Sequence, residues 1–348
     1  MLVRKPPLLL PVLAGAYTLL TIYVSLHPLS GWRDSSVAPL AFVVGHWPRY
    51  VTTFDLVANA LAYAPLGFLW AALLLHSRQP RMAFIIALMT AFAISLGNET
   101  AQNYLPGRVP SNIDLACNVL GAAIGAAIGV LRGGRLPALL LAWREQRCAP
   151  GIAGDAGLLL LLLWLLTQLN PEAFLFAGGD LRRLFGFDFA SPFAADSFTV
   201  IEIVVVACET LAIAMIASSL AVHHVLLSPL VLIVLALALK SSALLLLMSG
   251  VRGMAWATPG ALSGLALGLI CWFSVALAAP RRRQLVAFLA LLLAVVLVNL
   301  APPNPDMAAS ISSWRQGHFL NFNGLTRLTT ALWPYFALLW LLLARKER

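Results

Sequence analysis

Long apolar runs separated by polar connections constrain this chain more than any single motif. Ten of these runs approach the roughly 20 residues that a helix needs to cross a bilayer. Hydrophobic residues make up 61% of the 348 residues and charged residues only 11%, too few for the surface of a soluble protein of this length. Because the bilayer core offers no water to hydrogen-bond the backbone, we expect an all-α fold, a polytopic helical membrane protein with about ten transmembrane helices.

The same runs give approximate positions for the helices, of which the fifth and the ninth are short. We predict them at about 8–27, 55–76, 82–104, 113–131, 156–170, 199–222, 225–248, 258–279, 284–300 and 326–344.

Basic residues concentrate on one side of this predicted bundle. Of the 23 lysines and arginines, 14 fall in the connections on that side and near the two chain ends. The positive-inside rule makes that side cytoplasmic, which predicts a multi-pass protein of the cytoplasmic (inner) membrane with both termini in the cytoplasm. The net charge of +9 then requires no nucleic-acid partner. The partners we expect are membrane lipids, including the anionic lipids of the inner leaflet.

Polar side chains interrupt the apolar pattern at the outer ends of the second, third and fourth helices. Helical spacing puts them in pairs on single faces, and the alternating direction of the helices brings the pairs to one level. We therefore predict a polar cup at the outer membrane face. Ionisable groups are costly in such a setting, so the cup is a functional-site hypothesis. Its members are Asp55, Asn59, Glu99, Gln102, Arg108, Asp114 and Asn118.

Two interpretations of the carboxylates in the cup remain open. Asp55 and Asp114 lie at helix N-termini, where the helix dipole favours a carboxylate by about 0.3–1 kcal/mol. Glu99 lies near a helix C-terminus, where the dipole disfavours it, so it requires a partner. That partner is either Arg108, in a structural ion pair, or a ligand or reactant bound in the cup.

These residues are also the ones in which the chain resembles the VanZ-like family. The resemblance covers approximately residues 10–131, and the segment 314–326 looks like the C-terminal part of longer members. It implies a membrane protein of the cell envelope, in a family whose founding member gives low-level resistance to the glycopeptide teicoplanin, and it implies no known reaction. The matching residues are Asp55 and Asn59, the Pro65-Leu66-Gly67 turn, Glu99, Gln102, Arg108, Asp114, Asn118 and Gly121.

The second part of the chain repeats the first weakly, at an offset of about 143 residues. The offset relates Gly121 to Gly264 and Gly125 to Gly268, which predicts two parallel four-helix repeats followed by two C-terminal helices, as in some transporters. We accordingly divide the chain into a VanZ-like membrane domain at 1–150, a degenerate second repeat at 151–280 and a C-terminal helix pair with an extracytoplasmic loop at 281–348.

The second repeat loses the cup, because alanines, Ser242 and Leu245 stand at the matching positions. A secondary buried polar cluster of Glu202, Glu209 and Lys240 takes its place, and we predict that Glu209 pairs with Lys240, since a half-buried charge left alone would be costly.

Aromatic and charged residues alternate in the long outer connections. Each such connection either anchors at the lipid headgroup level or covers the cup and recognises a polar ligand. The last connection would contribute Trp314, Arg315, His318, Asn321 and Asn323.

Cysteine and histidine spacing predicts neither a metal site nor a cofactor. The four cysteines form no CxxC pair. His223 and His224 are adjacent, so they cannot share a helical face as a metal-binding pair would.

Three classes of function remain. The first is binding or translocation of a lipid-linked envelope glycan or a polar lipid headgroup at the outer leaflet. The second is a membrane enzyme with Glu99 and Asp114 as an acid and base pair, for which the sequence supplies no nucleophile or catalytic motif. The third is a non-catalytic structural subunit of envelope machinery, whose protein partners the sequence does not identify.

Overall fold

The computed structural model describes twelve helices and no strand within residues 9–27, 29, 31–47, 53–106, 108–132, 135–182, 195–247, 252–301 and 320–344. The helices are α1 Leu9–Leu26, α2 Ala41–Val44, α3 Thr53–Leu74, α4 Pro80–Gln102, α5 Asn112–Arg132, α6 Arg135–Arg147, α7 Gly151–Thr167, α8 Ala195–Leu220, α9 Leu227–Leu247, α10 Pro259–Val275, α11 Pro280–Leu300 and α12 Leu320–Leu343.

Seven of the helices in this described part are long and apolar enough to cross a membrane, namely α3, α4, α5, α8, α9, α11 and α12. Three shorter apolar helices, α1, α7 and α10, complete the ten positions predicted from the sequence. The chain is therefore a multi-pass helical membrane protein.

Two further helices were not predicted. The first, α2, has only four residues. The second, α6, carries Arg144, Glu145 and Arg147 in its last turns, so it gives no signal of a long apolar run.

The chain divides into two compact units, Met1–Ala142 and Trp143–Arg348. The finer division into parts ending at residues 150, 280 and 348 stays a prediction.

In the first unit, α3 and α5 pack with their backbones in contact. A Cβ atom added to Gly121 or Gly125 of α5 would collide with the carbonyl groups of Ala60 and Ala64 on α3. A Cβ atom on Gly67 of α3 would collide in turn with the backbone of α5. Small residues at four-residue spacing allow this approach, and it brings the N-terminal ends of α3 and α5 within side-chain reach of each other.

In the second unit, α8 and α10 form a comparable pair. A Cβ atom on Gly264 would lie 2.6 Å from the carbonyl oxygen of Ile203, and one on Gly268 would lie 2.6 Å from that of Ala207. The largest hydrophobic core of the described chain surrounds α8, and it includes the buried Trp164 and Trp272.

A non-helical segment, residues 168–180, lies inside the second unit after α7. Leu175 and Phe176 in this segment are buried, and the Phe176 ring lies 5.1 Å from that of Trp164. Irregular backbone is tolerated at membrane depth only where protein or a polar cavity surrounds it. Here α12 covers the segment, because Gly179 N donates to the Thr330 carbonyl at 2.9 Å.

Candidate functional site

A hydrogen bond between α3 and α5 forms the centre of the cup. The Asn59 Nδ2 amide donates to Asp114 Oδ1 at 2.8 Å, and both side chains are half-buried. Ser111 precedes the first residue of α5, and its hydroxyl accepts a hydrogen bond from the Asp114 backbone at 3.2 Å. This is the usual N-cap contact, and it fixes the turn of helix that carries Asp114.

Glu99 lies at the end of α4 with only 4% of its surface exposed. Its Oε2 atom accepts a hydrogen bond from the Ser111 backbone N–H at 2.8 Å. The unpaired N–H groups at the start of a helix favour a carboxylate, so the N-terminus of α5 supplies the partner that the C-terminus of α4 cannot.

Of the two alternatives left open for Glu99, the structural ion pair with Arg108 is not formed between these two described residues. The Arg108 Nη2 atom donates instead to the His27 carbonyl, at 3.4 Å. Burial lowers the pKa of the Arg108 guanidinium, and the charge of Glu99 acts against this shift. Arg108 is thus a half-buried cation at the rim of the cup, close enough to Glu99 for their charges to interact.

A buried polar layer lies below the Asn59 contact. The Asn98 amide donates to the Tyr63 hydroxyl at 3.2 Å, and the Asn118 amide donates to Ser95 Oγ at 3.0 Å. The Asn118 Oδ1 atom is buried without a hydrogen-bond partner among the described residues. The polar side chains therefore continue from the half-buried pair of Asn59 and Asp114 to buried positions between the helices.

Two other predicted members of the cup lie at its edge. The Gln102 Nε2 atom donates to the Ser25 carbonyl of α1 at 3.0 Å, so Gln102 connects α4 to α1. Asp55 is half-buried in the first turn of α3. The structure thus brings the seven predicted residues to one end of α3, α4 and α5.

The predicted pair between Glu209 and Lys240 in the second unit is wrong. The Lys240 ammonium group donates to the carbonyl oxygens of Asn170 at 2.6 Å and Ala173 at 2.5 Å. The negative end of the α7 dipole attracts a cation there. Both Glu209 carboxyl oxygens are buried without a hydrogen-bond partner in the described part of the chain.

Glu202, the third member of the predicted secondary cluster, lies nearer the end of α8. Its Oε1 atom accepts a hydrogen bond from the Thr258 hydroxyl at 2.7 Å. Thr258 is the N-cap of α10 and also accepts from the Ala261 backbone. The three predicted residues of this cluster therefore have separate surroundings.

An ion pair holds the buried segment after α7. The Glu172 carboxylate, 2% exposed, accepts two hydrogen bonds from the Arg327 guanidinium of α12, one of them from Nε at 2.8 Å. The Asn170 amide donates to the Thr330 hydroxyl at 3.3 Å. Together with Lys240, these contacts connect the segment to both α9 and α12.

Sequence reasoning missed several of these polar residues. Tyr63 follows Asn59 by four residues, so the spacing that placed Asn59 in the cup could have placed Tyr63 there too. Glu172 and Arg327 are 155 residues apart, and no sequence spacing relates them. The predicted contribution of residues 314–318 lies outside the described residues, as do the side chains of Asn321 and Asn323.

The fold and the polar site define a multi-pass helical membrane protein with a polar cup at one end of three helices. The sequence model of the VanZ/LLP1 family matches residues 13–133. The first unit thus contains a VanZ-like domain, as the resemblance over residues 10–131 predicted. Neither the curated proteins nor the solved structures include a match to the chain.

Proposed function

We propose that this protein binds the polar headgroup of a membrane lipid or a lipid-linked envelope glycan in the cup. One observation carries the proposal. The half-buried contact between Asn59 and Asp114 stands above the buried polar layer that contains Asn118. A headgroup has polar partners at both depths, whereas a lipid tail has the exposed apolar side chains of Leu61 and Leu120 on the same two helices.

The distribution of basic residues supports a location at the outer leaflet of the cytoplasmic membrane, with both termini in the cytoplasm. The cup opens on the side with fewer lysines and arginines. A lipid-linked glycan precursor bound there would be less accessible to a teicoplanin-type glycopeptide, which gives the proposal a cellular consequence.

A thermal-unfolding experiment tests the binding. The purified full chain is heated with and without lipid-linked glycan precursors or polar lipids, alongside the Asp114→Asn and Glu99→Gln variants. We expect the ligand to raise the Tm of the wild type and to have no such effect on the two variants. Glu145→Gln is the matched control, since Glu145 is an exposed acid outside the cup. Equal ligand effects on all variants would contradict the proposal.

Catalysis by Glu99 and Asp114 is the second candidate, and their proximity favours it, because Glu99 and the Asp114 backbone both make hydrogen bonds to Ser111. The hydrogen bond from the Ser111 backbone to Glu99 Oε2 holds the carboxyl group in place and leaves lone pairs free to accept a proton. Loss of turnover with unchanged headgroup binding in Glu99→Gln would support this candidate over binding alone.

We further propose that the two units descend from one four-helix ancestor. The support is a repeated contact. The close approach of Gly121 to Ala60 matches that of Gly264 to Ile203, and the approach of Gly125 to Ala64 matches that of Gly268 to Ala207. All four positions shift by the same 143 residues. At the helix ends, the same offset relates Asn59 to Glu202, which bonds to Thr258, one residue beyond the position that matches Asp114.

A further inference from the structure

We infer that the headgroup bound in the cup carries a protonated primary amine, as an ethanolamine phospholipid does. The inference rests on the proposed function and specifies the chemistry of its ligand. It follows from the hydrogen-bond donors and acceptors that the cup leaves unused, and from the charge of the cup.

Three amide groups of the cup each already donate one hydrogen bond to a protein acceptor. The Asn59 amide donates to Asp114, the Gln102 amide to the Ser25 carbonyl, and the Asn118 amide to Ser95. A ligand that needed hydrogen-bond donors, such as a carboxylate or an isolated phosphate, would depend on the remaining N–H of each amide group deep in the cup, since Arg108 lies at the rim.

The polar atom left without a partner is an acceptor. Asn118 is only 5% exposed, and its Oδ1 atom has no hydrogen-bond partner among the described residues. An unpaired buried carbonyl oxygen is unfavourable, so a ligand donor that reached it would be stabilised. Asn118 follows Asp114 by four residues on α5, so the two side chains share one face of the helix. A ligand donor that reached Asn118 would pass Asp114.

The charge of the cup favours the same ligand. Three carboxyl groups, those of Asp55, Glu99 and Asp114, line it together with one guanidinium group, that of Arg108. Asp114 is half-buried, and its carboxylate attracts a cation more strongly there than in water.

A primary ammonium group meets both requirements because it carries a positive charge and three N–H donors. One N–H can bond to Asp114 and another to Asn118. The phosphate of an ethanolamine headgroup then lies toward the rim, where Arg108 is half-buried and makes one long hydrogen bond to the His27 carbonyl. A metal ion fits less well, since no group of three or more His, Cys, Asp or Glu side chains in the described residues could hold one.

Three phospholipids with identical acyl chains separate charge from hydrogen bonding. Phosphatidylethanolamine has a primary ammonium group, phosphatidylcholine has the charge without N–H donors, and phosphatidylglycerol has the phosphate without the ammonium group. We would measure the Tm of the purified full chain in detergent with each lipid added. We expect phosphatidylethanolamine to raise the Tm by several degrees more than the other two. Soluble glycerophosphoethanolamine, added in place of the lipid, shows whether the headgroup alone is sufficient.

Two substitutions at one position make the result independent of folding defects. Asn118→Leu removes the unpaired acceptor and should abolish the preference for phosphatidylethanolamine. Asn118→Asp supplies a stronger acceptor for the ammonium group and should enlarge the preference, a gain that misfolding could not produce. Glu145→Gln should leave it unchanged.

The outcomes distinguish this inference from the proposed function. If phosphatidylcholine stabilised the protein as much as phosphatidylethanolamine, or phosphatidylglycerol stabilised it more, the inference of a primary amine would be overturned. If the stabilisation by phosphatidylcholine or phosphatidylglycerol disappeared in Asp114→Asn, the proposal that the cup binds a headgroup would still stand. If no lipid, precursor or soluble headgroup gave an effect that depended on Asp114 or Asn118, both would be overturned.

Discussion

The Asn59 amide on α3 donates to the Asp114 carboxylate on α5 across 2.8 Å. This hydrogen bond joins two helices whose backbones already touch at glycines. Contacts from both helices therefore hold the Asp114 side chain in place. A carboxylate fixed in this way is ready for a ligand without a side-chain rearrangement.

Exchanging the two side chains tests this contact. Asn59→Asp places two carboxylates together and should lower the free energy of unfolding by about 1–3 kcal/mol, because a half-buried acceptor loses its donor. Adding Asp114→Asn to that variant restores a donor opposite a carboxylate. We expect the double variant to recover most of the loss in a denaturation experiment. Additive losses would show that the hydrogen bond contributes nothing.

The helix contact in the first unit gives a second prediction. Gly121→Ala and Gly125→Ala each place a methyl group against the backbone of α3, so α3 and α5 must separate. We expect each substitution to lower the free energy of unfolding by about 1–3 kcal/mol or more, as in other overpacked cores. Gly97→Ala on α4 is the control, since nothing lies within 4 Å of its added Cβ. It should be neutral, or stabilising by up to about 1 kcal/mol.

The matching glycines of the second unit should respond in the same direction and less strongly. A Cβ atom on Gly264 or Gly268 would lie 2.6 Å from a backbone oxygen, a less severe collision than in the first unit. Thermal unfolding of Gly264→Ala and Gly268→Ala beside the first-unit variants measures the difference. If neither Gly264→Ala nor Gly268→Ala changed the Tm, the contact would give no support for a shared ancestor.

Glu209 offers a substitution that should stabilise the protein. Its carboxyl group is fully buried and neither oxygen has a hydrogen-bond partner in the described chain, and such a group costs more than an apolar one of similar size. We expect Glu209→Met to raise the free energy of unfolding by about 1–3 kcal/mol. Glu202→Met should lower it, because Thr258 loses its acceptor. A destabilised Glu209→Met variant would indicate a partner for this carboxyl group.

Thiol labelling tests the proposed topology. Val109 is 80% exposed in the connection between α4 and α5, and Ser77 is exposed at the opposite end of α4. With native cysteines replaced, a membrane-impermeant maleimide should label Val109→Cys in intact cells and Ser77→Cys only after permeabilisation. The reverse pattern would place the cup on the cytoplasmic side.

Apolar length predicted the helices well, because burial in a bilayer requires long uninterrupted runs. The four-residue spacing of Gly121 and Gly125 likewise indicated close helix packing before the structure described it. Sequence reasoning failed where a side chain pairs with backbone. Glu99 bonds to the Ser111 N–H, and Lys240 bonds to two carbonyl groups. Backbone groups are present at every residue, so no residue type marks such a partner in advance.

The glycine contacts between α3 and α5 also limit how a ligand could enter the cup. Sliding or turning either helix would bring larger residues against the neighbouring backbone, so the two helices behave as one rigid wall. Any movement that admits a headgroup must then come from the other sides of the cup. Those are α1, α4 and the connection after Gln102, where Gln102 and Arg108 each make a hydrogen bond to a backbone carbonyl near the end of α1.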